Sequence, residues 1–339
     1  MNSRDSRFEW LRVCAILFVV AHHVLMFGGD VCGYMSPFRV NGETVVGVVL
    51  NSLFVTGVNL FVMISGWFGI GRVWRPVVRL IVECAVFGAL AMVLSLLLYS
   101  FLPLDKVEGC FSIDLLWRSV RFTNWWFVTH YLMLVLAAPL LEAALKNVGR
   151  RSLEHVLVCM LLFNCLFGFC WGYVNASGYN VVNFIMIYLL ARYMRLFPMA
   201  VVNRLICQRA WVVIVVCMAL ATVWFLLDKS GWAAGRLSRA WSYNNPVIVL
   251  ESVAVFSLFL KLRCDDKRAE RFAPYVLGVY LLQSAPSLVY YRNVLGSWLF
   301  DNYGYVGFMV AVAVLAVVCF VLSVAVLVPL RRAMRLVRI

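Results

Sequence analysis

The chain has 339 residues, of which 64% are hydrophobic and only 14% charged, with a mean hydropathy of +0.91. A soluble domain of this length is about half apolar and about a quarter charged, so composition excludes that class and predicts a polytopic membrane protein. The net charge of +14 does not argue for nucleic acid, because the Lys and Arg residues flank apolar runs instead of forming one soluble patch.

Apolar runs bounded by charge, Pro or Gly predict ten transmembrane helices, at 10–28, 46–68, 79–102, 125–145, 155–172, 181–198, 210–227, 246–262, 275–291 and 304–328. The fifth and sixth are short and contain Asn164 and Asn183. No long polar segment separates the runs, so the expectation is an all-α helical bundle forming a single transmembrane domain over 1–339, with no separate soluble domain. With the N-terminus inside, 22 of the 30 Lys and Arg residues fall on the cytoplasmic side, which predicts that both termini are cytoplasmic. The first run is long enough to span and lacks a small-residue cleavage site, so it reads as a retained helix.

That first run, Trp10 to Gly28, carries Arg12 near its start and His22 and His23 inside it. Arg12 and His23 are eleven residues apart, close to three helical turns, and so share one helix face roughly 16 Å apart. Ionisable groups at membrane depth are expensive and face polar surroundings, which makes the pair a site candidate. Two readings stand for it: a functional cation and imidazole, or an inner-leaflet anchor beside histidines that hydrogen-bond neighbouring helices. Glu9, three residues before Arg12, is placed to pair with it.

An outer loop from Gly29 to Val45 follows. Cys32 in it and Cys110 in the third connection both fall on the outer side, and a disulfide between them is an open question that a Cα separation above about 7 Å would exclude. The second run ends in Leu60-Phe61-Val62-Met63-Ile64-Ser65-Gly66, where Ser and Gly permit close helix approach. Arg72, Arg75, Pro76 and Arg79 come next. Pro76 suits the first turn of a new helix, which sets Arg75 and Arg79 one turn apart at the cytoplasmic entrance. Forked guanidinium donors match phosphate oxygens, and a plain inner-leaflet anchor is the competing reading.

Taken together, Trp10-Leu11-Arg12 with His23 downstream, Leu60 to Gly66, and Arg72-x-x-Arg75 resemble the integral-membrane acyltransferase-3 family. Asn124-Trp125-Trp126-Phe127 with Tyr131, Leu132 and Pro139, and Val279-Tyr280-Leu281-Leu282, extend the resemblance over most of the chain. The resemblance implies a unit of about ten helices that O-acylates bacterial surface glycans, in the bacterial inner membrane. It implies acetyl-CoA or another acyl-CoA as cytoplasmic donor, with its phosphates held by Arg12, Arg72 and Arg75. The implied catalytic residue is His23, either as general base on an acceptor hydroxyl or as a transient acyl carrier. Where many relatives follow Tyr-Leu-Leu with His, this chain has Gln283, which can hydrogen-bond but cannot shuttle a proton.

The implied acceptor is a carbohydrate or a lipid-linked glycan arriving from outside. Trp125, Trp126 and Trp241 lie in or beside the outer loops, where flat aromatic faces suit sugar rings, and interfacial Trp belts give the same pattern without a ligand. Glu83 and Glu251 lie inside the spans, each expected to pair with a polar neighbour, and His130 is expected to hydrogen-bond within the bundle. No nucleotide-binding loop, zinc ligand set or Gly-x-Ser-x-Gly elbow is visible, so no metal is expected. A transporter or flippase for a lipid-linked glycan is the alternative; it predicts an internal repeat that the sequence does not display. A purely structural membrane partner would leave the Arg12 and His23 alignment unexplained.

Overall fold

The computed structural model describes residues 5–30, 40–71, 73–101, 112–170, 176–229, 240–262 and 266–336. Among them the secondary structure is helical and no strand occurs, as the apolar runs predict: a backbone without water around it satisfies its polar groups within the helix. Among the described residues, seven helical segments are long and apolar enough to cross a membrane: Ser6–Gly28, Gly42–Phe68, Trp74–Phe101, Trp126–Asn147, Arg150–Gly168, Ala210–Lys229 and Pro286–Leu336. The described residues form two compact units, one of Met1–Phe18, Phe38–Val73 and His130–Glu270, the other of Val19–Pro37, Trp74–Thr129 and Arg271–Ile339.

The chain begins with α1, Ser6–His23, which passes directly into a π-helical turn over Val24–Gly28. The second predicted span is two helices, α2 (Gly42–Phe54) and α3 (Gly57–Phe68), with Thr56 Oγ1 donating to the Leu53 carbonyl where they meet. Asn41 caps α2 by accepting from Thr44 N–H, and the Thr44 hydroxyl accepts from Asn41 N–H in return. Next come α4 (Trp74–Phe101), which has Pro76 in its first turn as expected, and the short α5 (Ile113–Val120). They are followed by α6 (Trp126–Asn147) and α7 (Arg150–Leu161), which continues as a π-helical stretch over Leu162–Cys170.

Two of the remaining predicted spans are helices of 16 residues, α8 (Val181–Leu196) and α11 (Pro246–Lys261). Between them lie α9 (Val201–Gln208) and α10 (Ala210–Lys229), and after them the short α12 (Lys267–Phe272). The ninth predicted span, 275–291, is not one helix: α13 (Val276–Gln283) stops, Ser284 and Ala285 turn, and α14 starts at Pro286. Pro286 has no N–H to offer the preceding turn, so it opens a helix instead of continuing one. A second break sits at Gly304 (φ 54°, ψ −135°), which divides α14 before its long C-terminal apolar run.

In the first unit, α3 and α8 approach closely at Gly66, where a Cβ would lie 2.4 Å from the Tyr188 carbonyl oxygen. The Ser-Gly pair thus serves the close approach that the sequence suggests. Phe8 packs with Trp67 and Phe256 at ring-centroid distances of 5.6 and 5.8 Å. Asn164 donates to Asn183 Oδ1 at 2.9 Å, so the two amides of the fifth and sixth runs pair with one another, while Asn183 Nδ2 has no hydrogen-bond partner among the described residues.

In the second unit, α13 packs so tightly that a Cβ on Gly278 would stand 2.1 Å from Ser323 Oγ, and Ser323 in turn donates to the Tyr275 carbonyl at 2.8 Å. The π-helical turn meets α14 through glycines, with an added Cβ on Gly28 only 3.0 Å from Gly296 Cα. Ser297 Oγ seals that contact by donating to the Gly28 carbonyl at 2.6 Å.

Candidate active site

The break after α13 builds the site around His23. Ending a helix inside an apolar unit leaves its last carbonyls without intrahelical donors, and each needs another partner. Ser284 N–H turns back to the Tyr280 carbonyl at 3.0 Å and Ala285 N–H to that of Leu282 at 3.2 Å. The Trp125 indole N–H takes the Leu281 carbonyl at 3.1 Å, and Arg292 Nη1 takes that of Gln283 at 3.0 Å. On the far side of the break, Ser287 N–H donates to Ser119 Oγ at 2.9 Å. A guanidinium at a helix C-terminus also meets the negative end of the helix dipole.

Gln283 is thereby fixed at the last residue of α13, and its side chain reaches His23. Gln283 Oε1 lies 2.9 Å from His23 Nδ1 and 3.2 Å from Arg292 Nη1, while Gln283 Nε2 donates to Ser284 Oγ at 2.6 Å. Arg292 is buried; Nε and Nη2 donate to Asn293 Oδ1 at 3.1 and 2.9 Å, and the guanidinium stands 5.8 Å from the centre of the Phe27 ring. His23 itself is partly buried and its ring lies 5.5 Å from that of His22. Among the described residues, no hydrogen bond reaches His23 Nε2. His23 is also the last α-helical residue before the π-helical turn, a local distortion of the kind that accompanies functional positions.

α1 is unbroken from Ser6 to His23, so the three-turn register between Arg12 and His23 holds along that helix. In the first unit Arg12 pairs with Glu9, whose side chain is only 6% exposed. In the same unit, Tyr188 donates its hydroxyl to Glu142 Oε1 at 2.5 Å, Arg192 donates to Glu142 Oε2 at 2.9 Å, and Ile70 N–H donates to the Tyr188 oxygen at 3.0 Å. This network ties down the chain just after α3, two residues before Arg72. Arg72, Cys32 and Cys110 lie outside the described residues.

In the second unit Arg75 is exposed and has no carboxylate partner among the described residues, whereas Arg79 is committed to Glu83 at 2.8 Å. Glu83 also takes Arg331 at 3.2 Å, so this acid is paired as expected. Glu251 is not: it is fully buried, and neither carboxyl oxygen has a hydrogen-bond partner among the described residues. His130 departs from its expectation too, since its Nδ1 has no partner among the described residues and the ring sits edge-on to Phe184 at 6.3 Å.

Of the three tryptophans, Trp125 is corrected. It is 1% exposed, with its N–H committed to Leu281, because the broken helix needs that donor; its ring offers no face to a sugar. Trp126 is partly buried. Trp241 stacks on Phe225 at 4.1 Å, and its buried indole N–H has no partner among the described residues. From the sequence alone Arg292 is only one of the basic residues and Gln283 has no acid-base role. The signal for both was Ser284-Ala285-Pro286, which ends one helix and begins another inside an apolar run.

An all-α polytopic helical bundle with an imidazole held at a broken helix defines a multi-pass membrane protein with a polar site inside it. The family model described as an acyltransferase domain matches residues 5–328, nearly the whole chain, and the chain belongs to that acyltransferase-3 family. It is therefore a membrane acyltransferase that transfers groups other than amino-acyl groups. No curated protein and no solved structure matches the chain.

Proposed function

We propose that the protein moves an acetyl or other short acyl group from cytoplasmic acyl-CoA to a hydroxyl of a cell-surface or lipid-linked glycan, in a bacterial inner membrane. The observation that carries this reading is His23, whose Nδ1 is engaged by Gln283 and whose Nε2 meets no hydrogen bond among the described residues, in a chain of an acyltransferase family. A neutral imidazole with an open nitrogen is what either acyl-transfer route requires.

In the first route Nε2 takes the proton of the acceptor hydroxyl as its oxygen attacks the thioester carbonyl. The C–S bond breaks, and the coenzyme thiolate leaves as the thiol with the proton returned by the imidazolium. In the second route Nε2 attacks the carbonyl itself, expels the thiolate, and passes the acyl group to the hydroxyl oxygen, whose proton goes to the thiolate. Arg12, Arg72 and Arg75 are assigned to the anionic end of the donor, on the family's pattern and on the affinity of guanidinium for phosphate. Trp126 and Trp241 remain candidates for the acceptor, and Trp125 does not.

The test is transfer by purified protein in liposomes given acetyl-CoA labelled in the acetyl group and a bacterial polysaccharide. The reading expects label on the glycan in an ester linkage, together with free coenzyme. Movement of an unmodified glycan across the bilayer without any consumption of acetyl-CoA would overturn it in favour of transport.

A further inference from the structure

Resting on the reading of His23 as the acyl-transfer imidazole, we infer that Gln283, oriented by Arg292, is a positioning residue that holds the His23 proton on Nδ1 and so leaves the Nε2 lone pair for the reaction.

Arginine has five N–H groups and no acceptor, so the Gln283 side-chain atom 3.2 Å from Arg292 Nη1 must be the carbonyl oxygen. The other end of the same amide agrees: its NH2 faces Ser284 Oγ at 2.6 Å, and a hydroxyl can accept. The orientation of this amide, ordinarily ambiguous, is thus dictated by a group that can only donate. The oxygen also lies 2.9 Å from His23 Nδ1, and an oxygen without a hydrogen can only accept there. Nδ1 must therefore carry the proton. In a neutral imidazole that places the lone pair on Nε2, the nitrogen that no hydrogen bond reaches among the described residues.

Arg292 secures the amide twice, since Nη1 also takes the Gln283 main-chain carbonyl at 3.0 Å, and Asn293 Oδ1 holds the rest of the fork. The same arrangement serves both routes of transfer. Whether Nε2 accepts a proton or an acyl group, the ring becomes cationic while its Nδ1–H still donates to Gln283, a bond that strengthens as charge develops. The structure thus gives Gln283 work that needs no proton shuttle.

The direct readout is the nitrogen-15 spectrum of protein labelled at its four histidines, with the His23 signals identified by their loss in His23→Asn. The inference expects a protonated Nδ1 and an unprotonated Nε2 in the wild type and in Gln283→Glu, which keeps an acceptor oxygen at that place. It expects a mixture of tautomers in Gln283→Leu, which has no acceptor, and in Arg292→Met, which lets the amide turn. In Gln283→Leu, kcat should fall by about tenfold to 10⁴-fold with KM for acyl-CoA little changed, as in the tautomer defects of other imidazole bases. Gln283→Glu should recover most of that loss. A wild-type spectrum with the proton on Nε2, or an unchanged tautomer and full kcat in Gln283→Leu, would overturn the inference. The spectrum reads the same whether or not the protein transfers acyl groups. A locked tautomer together with full activity in His23→Asn would therefore sink the proposed function and leave the lock standing.

Discussion

Two polar networks in this bundle are built to different ends. In the first unit Glu142 accepts from both Tyr188 and Arg192, and Tyr188 accepts from Ile70 N–H, so the acid is paired with its cation and the phenol, while Arg192 Nε has no hydrogen-bond partner among the described residues. In the second unit the chain of bonds from Arg292 through Gln283 ends on one nitrogen of His23, and among the described residues the other nitrogen is left open. A network whose charges are paired with one another fixes structure, and removal of one partner exposes an unpaired charge. A network that stops one atom short orients a group for use. The difference predicts that substitutions in the first network are read mainly in stability and those in the second mainly in rate.

Glu142→Ala should show the largest loss of stability. It strands Arg192 and the Tyr188 hydroxyl, so unfolding in detergent should become easier by about 3 kcal/mol, with activity per folded molecule largely kept. A preserved melting temperature would break the distinction between the networks. Gly296→Val comes next, because a Cβ at Gly296 already approaches Gly28 Cα at 3.0 Å and a branched side chain must push the π-helical turn away. Overpacking of this kind costs about 2 kcal/mol, and since the turn follows His23 directly, kcat should fall as well.

Glu251→Leu sharpens the comparison from the opposite direction. A buried carboxyl whose oxygens have no partner among the described residues gains nothing from its polarity, so the variant should be neutral or more stable by about 1 kcal/mol in a thermal melt. The smallest effect is expected at Asp5. Its hydrogen bond from Arg7 holds the carboxyl below its ordinary pKa, and Arg7 also donates to the Leu260 carbonyl at 2.8 Å. A depressed carboxylate contributes stability above its unfolded pKa and loses it as pH falls through the folded one. Asp5→Asn should therefore cost under about 1 kcal/mol at neutral pH, and wild type and variant should converge in acid.

The fold was legible because a membrane span is a composition signal, and seven predicted runs return as helices long enough to cross. What the runs hid were breaks inside apolar stretches. Thr56 within 46–68 and Ser284-Ala285 within 275–291 cost little hydropathy, yet each ends a helix. Of the candidate site, what was legible is what lies along a single helix: the shared face of Arg12 and His23 follows from a period of 3.6, and the Glu9 partner of Arg12 follows from the same period. Gln283 and Arg292 were not, since their meeting with His23 depends on a tertiary contact between segments some 260 positions apart. Glu83 and Glu251 make the same point in reverse: both are acids inside spans, and only the packing decides that one meets two arginines and the other meets none among the described residues.

The central claim is that transfer passes through the His23 ring. The most direct measurement is the rate of label transfer from acetyl-CoA to glycan by wild type and His23→Ala in liposomes, matched for folded protein. The account predicts a loss of at least about 100-fold in the variant with an unchanged melting temperature. An equal rate in the two proteins would contradict it.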